Sequence, residues 1–331
     1  MKVIDGLTFD DVLLVPKRSS VRSRSAVDTR VDLGRGITLS LPIIPANMKT
    51  VAGPGMADLM VELGGLALLH RFLTVDEQVA LLTERSAHTA LVGASVGVCE
   101  REYARADRLL AAGCRILCVD VAHGDHDLCV AMVRHLRAKS DALIIAGNVA
   151  TADDALRLAQ AGADVIKVGV GPGSLCTTRI ETGNGVPQLT ALAQVHEARA
   201  LAKLDFRIIA DGGIRNAGDI VKALCFADAV MVGNLLAGTN EAPGEVTIVE
   251  GQRMKRYEGS STHKTSHIEG VATLVPEKGS ARHVIGRLME GVRSGCSYQG
   301  ANAVHELQTD PVFVRISHAG LTESYPHLIV R

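Results

Sequence analysis

Eight short apolar or β-branched runs recur along the chain: LSLPIIPAN (39–47), GLALLH (65–70), ALVGASV (90–96), RILCVDV (115–121), ALIIAGNV (142–149), DVIKVGV (164–170), FRIIADGG (206–213) and DAVMVGN (228–234). Between them lie DEQVALLTERS, EYARADRLLAAG, VAMVRHLRAKS, TADDALRLAQAG, LTALAQVHEARALA and AGDIVKALCFA, each with apolar residues near helical spacing. Eight strand units, mostly followed by helices, predict an α/β protein of the (β/α)8 TIM-barrel type, one domain over residues 1–331. An open doubly wound sheet shows the same alternation, but eight regular units favour closure. The strand ends carry Asn47, His70, Ser95, Asp120 with His123, Asn148, Gly169 to Gly173, Asp211 to Gly213, and Gly233, and in a barrel those ends form the catalytic face. A polar stretch at 250–270 reads as a mobile loop within a flap of about 250–275, followed by a last helix near 281–293.

Composition narrows the partners. Net charge is −1 with both signs interspersed, so no basic face favours nucleic acid or an anionic membrane, and a small molecule is the expected ligand. No apolar run approaches the roughly 18 residues of a membrane span, and the opening MKVIDGLTFDD has no signal-peptide core; a cytoplasmic protein is expected. The seven cysteines are an odd number without CxxC spacing, which fits a reducing compartment and argues against a zinc site. Six of them, all but Cys176, read as buried packing on strands or helices.

The most informative segment is KVGVGPGSLCTTRIETGNGVPQ (167–188), where an apolar strand enters a glycine-rich loop holding one cysteine and several hydroxyls. Gly171 and Gly173 allow close backbone approach, and Ser174 with the loop N–H groups can cradle a phosphate. On its own this loop reads equally well as a tight turn around a buried thiol. Glycines in ADGGIRNAGD (210–219) and VMVGNLLAG (230–238) follow the seventh and eighth strands, where barrels often hold phosphate. Asp211 can accept hydrogen bonds from ribose hydroxyls or cap its own turn. Two such loops and a carboxylate suggest a nucleotide. His263 and His267 have i, i+4 spacing, but their Ser/Thr-rich surroundings read as a loop, and with His123 and His126 they suggest solvated residues rather than a metal site.

At GVGPGSLCTTR the sequence resembles the IMP dehydrogenase and GMP reductase family. The likeness extends through LTFDDVLLVPKRSSVRSRSAVDT, PANMKTV (45–51), DVAHG (120–124), AGNVAT (146–151), ADGGIR (210–215), MVGNLLAG (231–238) and GVRSGCSYQGA (291–301). The resemblance implies that Cys176, as thiolate, adds to purine C2 and that a hydride passes between that carbon and a nicotinamide ring. It places the 5′-phosphate at Ser174, Gly212, Gly213, Gly233, Asn234 and Tyr257, the ribose at Asp211, and the base near Met48 and Gly259. It also sets Asp120, Val121, Ala122, Asn148 and Gly169 at the nicotinamide, the carbonyls of Gly171, Gly173 and Cys176 around a K+ or Na+ ion, and the chain in a homotetramer.

Two activities share this chemistry. The resemblance implies that dehydrogenases, which oxidise IMP to XMP with NAD, hydrolyse the cysteine adduct with an Arg-Tyr pair on a long flap. Reductases instead expel ammonia from GMP and accept hydride from NADPH, giving IMP. Here only 11 residues separate Tyr257 from Glu269, and no Arg-Tyr pair follows Tyr257. Thr178 and Glu269 match a dyad that protonates the leaving 2-amino group. The short flap, the absence of an inserted CBS domain, Lys49 where many members have aspartate, and Arg71 where animal-type reductases carry lysine all point to a bacterial reductase subgroup. A guanine-like nucleotide other than GMP remains a third substrate class.

Overall fold

The structure, a computed structural model, describes residues 1, 3–86, 91–259 and 270–326. The eight apolar runs form the strands β1 (Ile43–Pro45), β2 (Ala67–Leu69), β3 (Val92–Val96), β4 (Ile116–Asp120), β5 (Leu143–Val149), β6 (Val165–Val168), β7 (Arg207–Asp211) and β8 (Ala229–Val232). Neighbours pair in parallel in chain order from β2 round to β8, and β8 pairs with β1. That return excludes the doubly wound alternative, because an open sheet never brings its last strand back to its first. Among the described residues no hydrogen-bond ladder joins β1 to β2, so the wall closes there through packing. The fully buried Gln78 ties β2 to β3 beside that seam, its Nε2 donating to the carbonyls of His70 at 3.2 Å and Ser95 at 3.0 Å.

The helices follow as α1 (Pro54–Glu62), α2 (Val75–Ser86), α3 (Glu100–Ala111), α4 (Asp127–Lys139), α5 (Ala152–Ala161), α6 (Thr178–Thr182), α7 (Gln188–Ala202), α8 (Ala217–Leu224) and α9 (Ala281–Gln299). The α5 segment shows how local chemistry sets them. Thr151 and Asp154 form a capping box, Ala155, Leu158 and Ala161 are the buried stripe, and Gly162 ends the helix at φ +112. At the opposite end of the barrel from the strand C-termini, an antiparallel hairpin of Val31–Gly34 and Ile37–Leu39 lies across the strand starts. Arg35 there pairs with Asp164 at 2.9 Å, and Arg207 donates to the Asp32 carbonyl at 3.0 Å.

Three expectations change. The stretch read as a loop at 250–270 contains a strand, β10 (Gln252–Glu258), in an antiparallel sheet between β9 (Val246–Val249) and β11 (Ala272–Pro276). α9 runs to Gln299, and the short helix His318–Glu323 follows it. Its glycines do not break it but admit α8: a Cβ on Gly291 would lie 2.3 Å from that of Ala217, and one on Gly295 2.5 Å from Val221. Cys99 is exposed at the start of α3 rather than buried, and Cys114 and Cys225 are buried but sit just outside regular elements. Among the described residues no helix is long and apolar enough to cross a membrane.

Strand packing is tight enough to dictate single residues. A Cβ on Gly93, in β3, would stand 2.6 Å from the Ile116 carbonyl oxygen and 2.9 Å from Leu68. Gly93→Ala is expected to cost about 2 kcal/mol by overpacking, read as a lower urea midpoint with an unchanged slope.

Candidate active site at the barrel mouth

The C-terminal strand ends surround a cavity of about 200 Å³. β6 leads into it through Gly169, at φ +150, where a Cβ would sit 2.0 Å from the Asp211 carbonyl oxygen; no other residue fits. The loop beyond is clamped by Arg179, whose guanidinium donates to the Val186 carbonyl at 2.7 Å and packs its stem against Gly171. Within it the Cys176 amide donates to the Gly173 carbonyl at 3.1 Å, and the Cys176 Sγ lies 3.2 Å from the Thr178 hydroxyl. Cys176 is the one cysteine that lines the mouth. Burial pushes the thiol of Cys114 up to about 11 and those of Cys129, Cys225 and Cys296 up to about 12, which leaves them inert.

The flap is fastened to this loop. Gly270 pairs with Cys176 as an antiparallel bridge, the Val271 amide donates to the Leu175 carbonyl at 3.1 Å, and the Gly259 amide donates to Val271 at 3.0 Å. β10 and β11 therefore bring Gly259 and Gly270 beside Cys176. Glu269, His263 and His267 lie outside the described residues.

On one side of Cys176 the expected phosphate residues converge. The buried Tyr257 hydroxyl stands 3.4 Å from Ser174 Oγ and 4.0 Å from Met48 Sδ, and a Cβ on Gly233 would meet it at 2.5 Å. Gly212 and Gly259 line the same cavity, while Gly213 packs against Pro172 beside it and Asn234 turns its carbonyl to Lys278.

On the other side sits a charge cluster. Lys167, 3% exposed, reaches Asp211 at 2.7 Å and Asp120 at 3.0 Å, and Asn148 Nδ2 donates to Asp211 at 2.9 Å and to the Gly169 carbonyl at 2.8 Å. Burial would raise the Asp120 carboxyl, but Lys167 and Arg71 outweigh it and hold that group below the usual carboxylate range. Among the described residues, Asn148 Oδ1 and Arg71 Nε are buried without hydrogen-bond partners. Val121 and Ala122 complete the wall.

Of the expected site residues, the mouth thus gathers Met48, Asp120, Val121, Ala122, Asn148, Gly169, Gly171, Gly173, Ser174, Cys176, Thr178, Asp211, Gly212, Tyr257 and Gly259. Sequence reasoning passed over Lys167. Its signal was present: a lysine inside the wholly apolar strand VIKV must be paired if that strand is buried. A larger cavity, about 350 Å³, lies at the hairpin end, but its Arg30, Arg207 and Asp228 already have partners in Asp28, Asp205 and Arg199.

A closed parallel barrel with a thiol, a hydroxyl cluster and a buried ion cluster on its catalytic face is a (β/α)8-barrel enzyme. Residues 6–327 match the family described as the IMP dehydrogenase / GMP reductase domain. The chain belongs to that family of oxidoreductases of purine metabolism, which use a nicotinamide cofactor. It is 33% identical to an inosine-5′-monophosphate dehydrogenase of Nitrosopumilus maritimus, covering 99% of both chains, and 32% identical to a GMP reductase of Leishmania donovani, covering 98% and 97%. The first of these alignments spans 473 residues against 331 here, so that relative carries an internal stretch this chain lacks. The solved structure of a cysteine-to-alanine variant of Trypanosoma brucei GMP reductase in complex with guanosine 5′-monophosphate superposes with TM-score 0.92 at 32% identity, over 99% of each chain.

At the seam, His70 is 7% exposed with an unpartnered Nδ1, and burial, reinforced by the charge of Lys49, pushes it down to about 4 from 6.5. The folded chain therefore holds His70 neutral while the unfolded chain protonates it. Its contribution to stability is complete above pH 6.5 and is lost as pH falls from 6.5 to 4, by up to about 3 kcal/mol. In urea titrations across that window, His70→Asn should lose less stability than the wild type; parallel curves would refute the assignment.

Proposed function

We propose that this chain is a GMP reductase, a single barrel domain with a catalytic flap, converting GMP to IMP and ammonia with NADPH. The observation that carries the reading is the flap. Its two ends are pinned at Gly259 and Gly270 beside Cys176, and the ten residues between them, SSTHKTSHIE, contain neither arginine nor tyrosine. A covalent adduct on Cys176 is thus left without the Arg-Tyr pair that the family resemblance ties to hydrolysis.

The chain's own groups supply the remaining steps. The Cys176 thiolate attacks C2 of the purine, held by Asp211 at the ribose and by Ser174, Gly212, Gly213, Gly233, Asn234 and Tyr257 around the phosphate, with Met48 and Gly259 at the base. Thr178, in contact with the sulfur, acts with Glu269 to pass a proton to the 2-amino group, which leaves as ammonia. Hydride addition at C2 and cleavage of the C–S bond release IMP and return the thiolate.

The residues fit a nicotinamide. Asn148 Oδ1 is a buried acceptor lining the mouth with no partner, suited to a carboxamide N–H, and Asp120, Val121, Ala122 and Gly169 stand around it. When bound, the dinucleotide supplies the hydride. Among the described residues neither Lys49 nor Arg71 has a carboxylate within salt-bridge distance, and their positive charge favours the phosphates of NADPH. Of the three carbonyls expected around a K+ or Na+ ion, those of Gly171, Gly173 and Cys176, that of Gly173 accepts the Cys176 amide, and no step is assigned to a cation.

Mixing the protein with GMP and NADPH should deplete nicotinamide absorbance and release ammonia, while IMP with NAD should give no turnover; activity only in the second mixture would overturn the proposal. Cys176→Ala should lower turnover at least ~10³-fold while still binding GMP.

A further inference from the structure

Lys167 is a costly residue to place inside a barrel. A buried ion cluster seldom stabilises more than apolar packing of the same volume would, so its presence calls for another use. Lys167 on β6 spans from Asp120 on β4 to Asp211 on β7, and Gly147 on β5 makes room for it: a Cβ there would stand 2.7 Å from that of Lys167. The two carboxylates stand side by side in that cluster, Asp120 where the proposed function puts the nicotinamide and Asp211 where it puts the ribose.

We propose that Lys167 is a positioning residue that holds Asp211 and Asp120 aimed into the mouth as a charged cluster, electrostatically joining the nucleotide and dinucleotide subsites. The inference rests on the nucleotide reading above. Ribose hydroxyls and a carboxamide are neutral donors, so each needs an anionic acceptor that does not pick up a proton when water is displaced. Lys167 faces Asp211, Asp120 and Cys118; Arg71 adds a second positive charge at Asp120, Asn148 donates to Asp211, and Tyr257 stands across from Asp211. Burial alone would discharge the ammonium, but Asp211 and Asp120 outweigh that and keep it protonated. Without Lys167 the carboxylates repel across a desolvated gap, and one of them takes up a proton near neutrality.

The test compares wild type, Lys167→Met, Lys167→Arg and the double variant K167M/D120N. Infrared titration of the free proteins reads the carboxyl state without nucleotide. A protonated-carboxyl band titrating between about pH 5.5 and 8 is expected in K167M and absent from the wild type, K167R and the double variant. GMP affinity in K167M should fall about tenfold at pH 6 and improve as pH rises through that titration, whereas K167R stays flat with pH. A K167M protein with no such band and with wild-type, pH-independent GMP affinity overturns the proposal. If K167M does not fold, a titrating carboxyl in K167R equally overturns it, and a silent K167R with weakened GMP binding supports it. Wild-type protein that binds neither GMP nor IMP sinks the nucleotide reading alone, and the infrared result still decides the charge state.

Discussion

An ammonium group removed from water must have anionic company, and in this barrel that requirement fixes the geometry of the mouth. Lys167 lies within 3.0 Å of two carboxylates that belong to strands three positions apart around the wall. Neither Asp120 nor Asp211 can rotate away without leaving charge unpaired in a desolvated place, so the ion cluster acts as a tie across the rim. Asn148 is held by the same arrangement, through Asp211 and the Gly169 carbonyl, and Gly169 is the point from which the cysteine loop departs. The position of the thiol is thereby connected to the charge cluster by a short run of hydrogen bonds.

The other half of the mouth depends on a single strand. β10 carries Tyr257 to the hydroxyl of Ser174 and, two residues later, delivers Gly259 to the edge of the cysteine loop. The residue that meets Ser174 and the glycine at the edge of the cysteine loop are therefore carried by one element. In a barrel the strand ends supply a rigid platform and the loops supply specificity. Here one loop, between β6 and α7, meets both the strand platform and the flap sheet.

The barrel was legible because its strands are buried on both faces and its helices on one, so periodicity carries the information. The cysteine loop and Asp211 were legible through their glycines and their location at strand ends. β10 was not. In QRMKRYE the inward positions include Lys255, which is 3% exposed and gives its ammonium to the carbonyls of Thr239 and Ala242, so a buried residue looks like a surface one and the alternation is hidden. Lys167 did carry a local mark, a lysine in an otherwise apolar strand, but nothing near it in sequence names its partners on β4 and β7. Arg71 was noticed as a departure from the family pattern, but its influence on Asp120 follows only from the closure of β2 against the rest of the wall.

The unlatched seam between β1 and β2 makes the barrel mechanically uneven. Among the described residues, seven of its eight strand boundaries resist shear through backbone ladders, whereas the eighth holds by side-chain contact, with Asn47 Nδ2 reaching from the end of β1 to Ser95 Oγ on β3 at 2.8 Å. Met48 and Arg71 stand just beyond that boundary and Cys176 far round from it, so any widening of the rim starts at the wall opposite that cysteine. Strain from an incoming ligand is relieved where it least disturbs the cysteine loop.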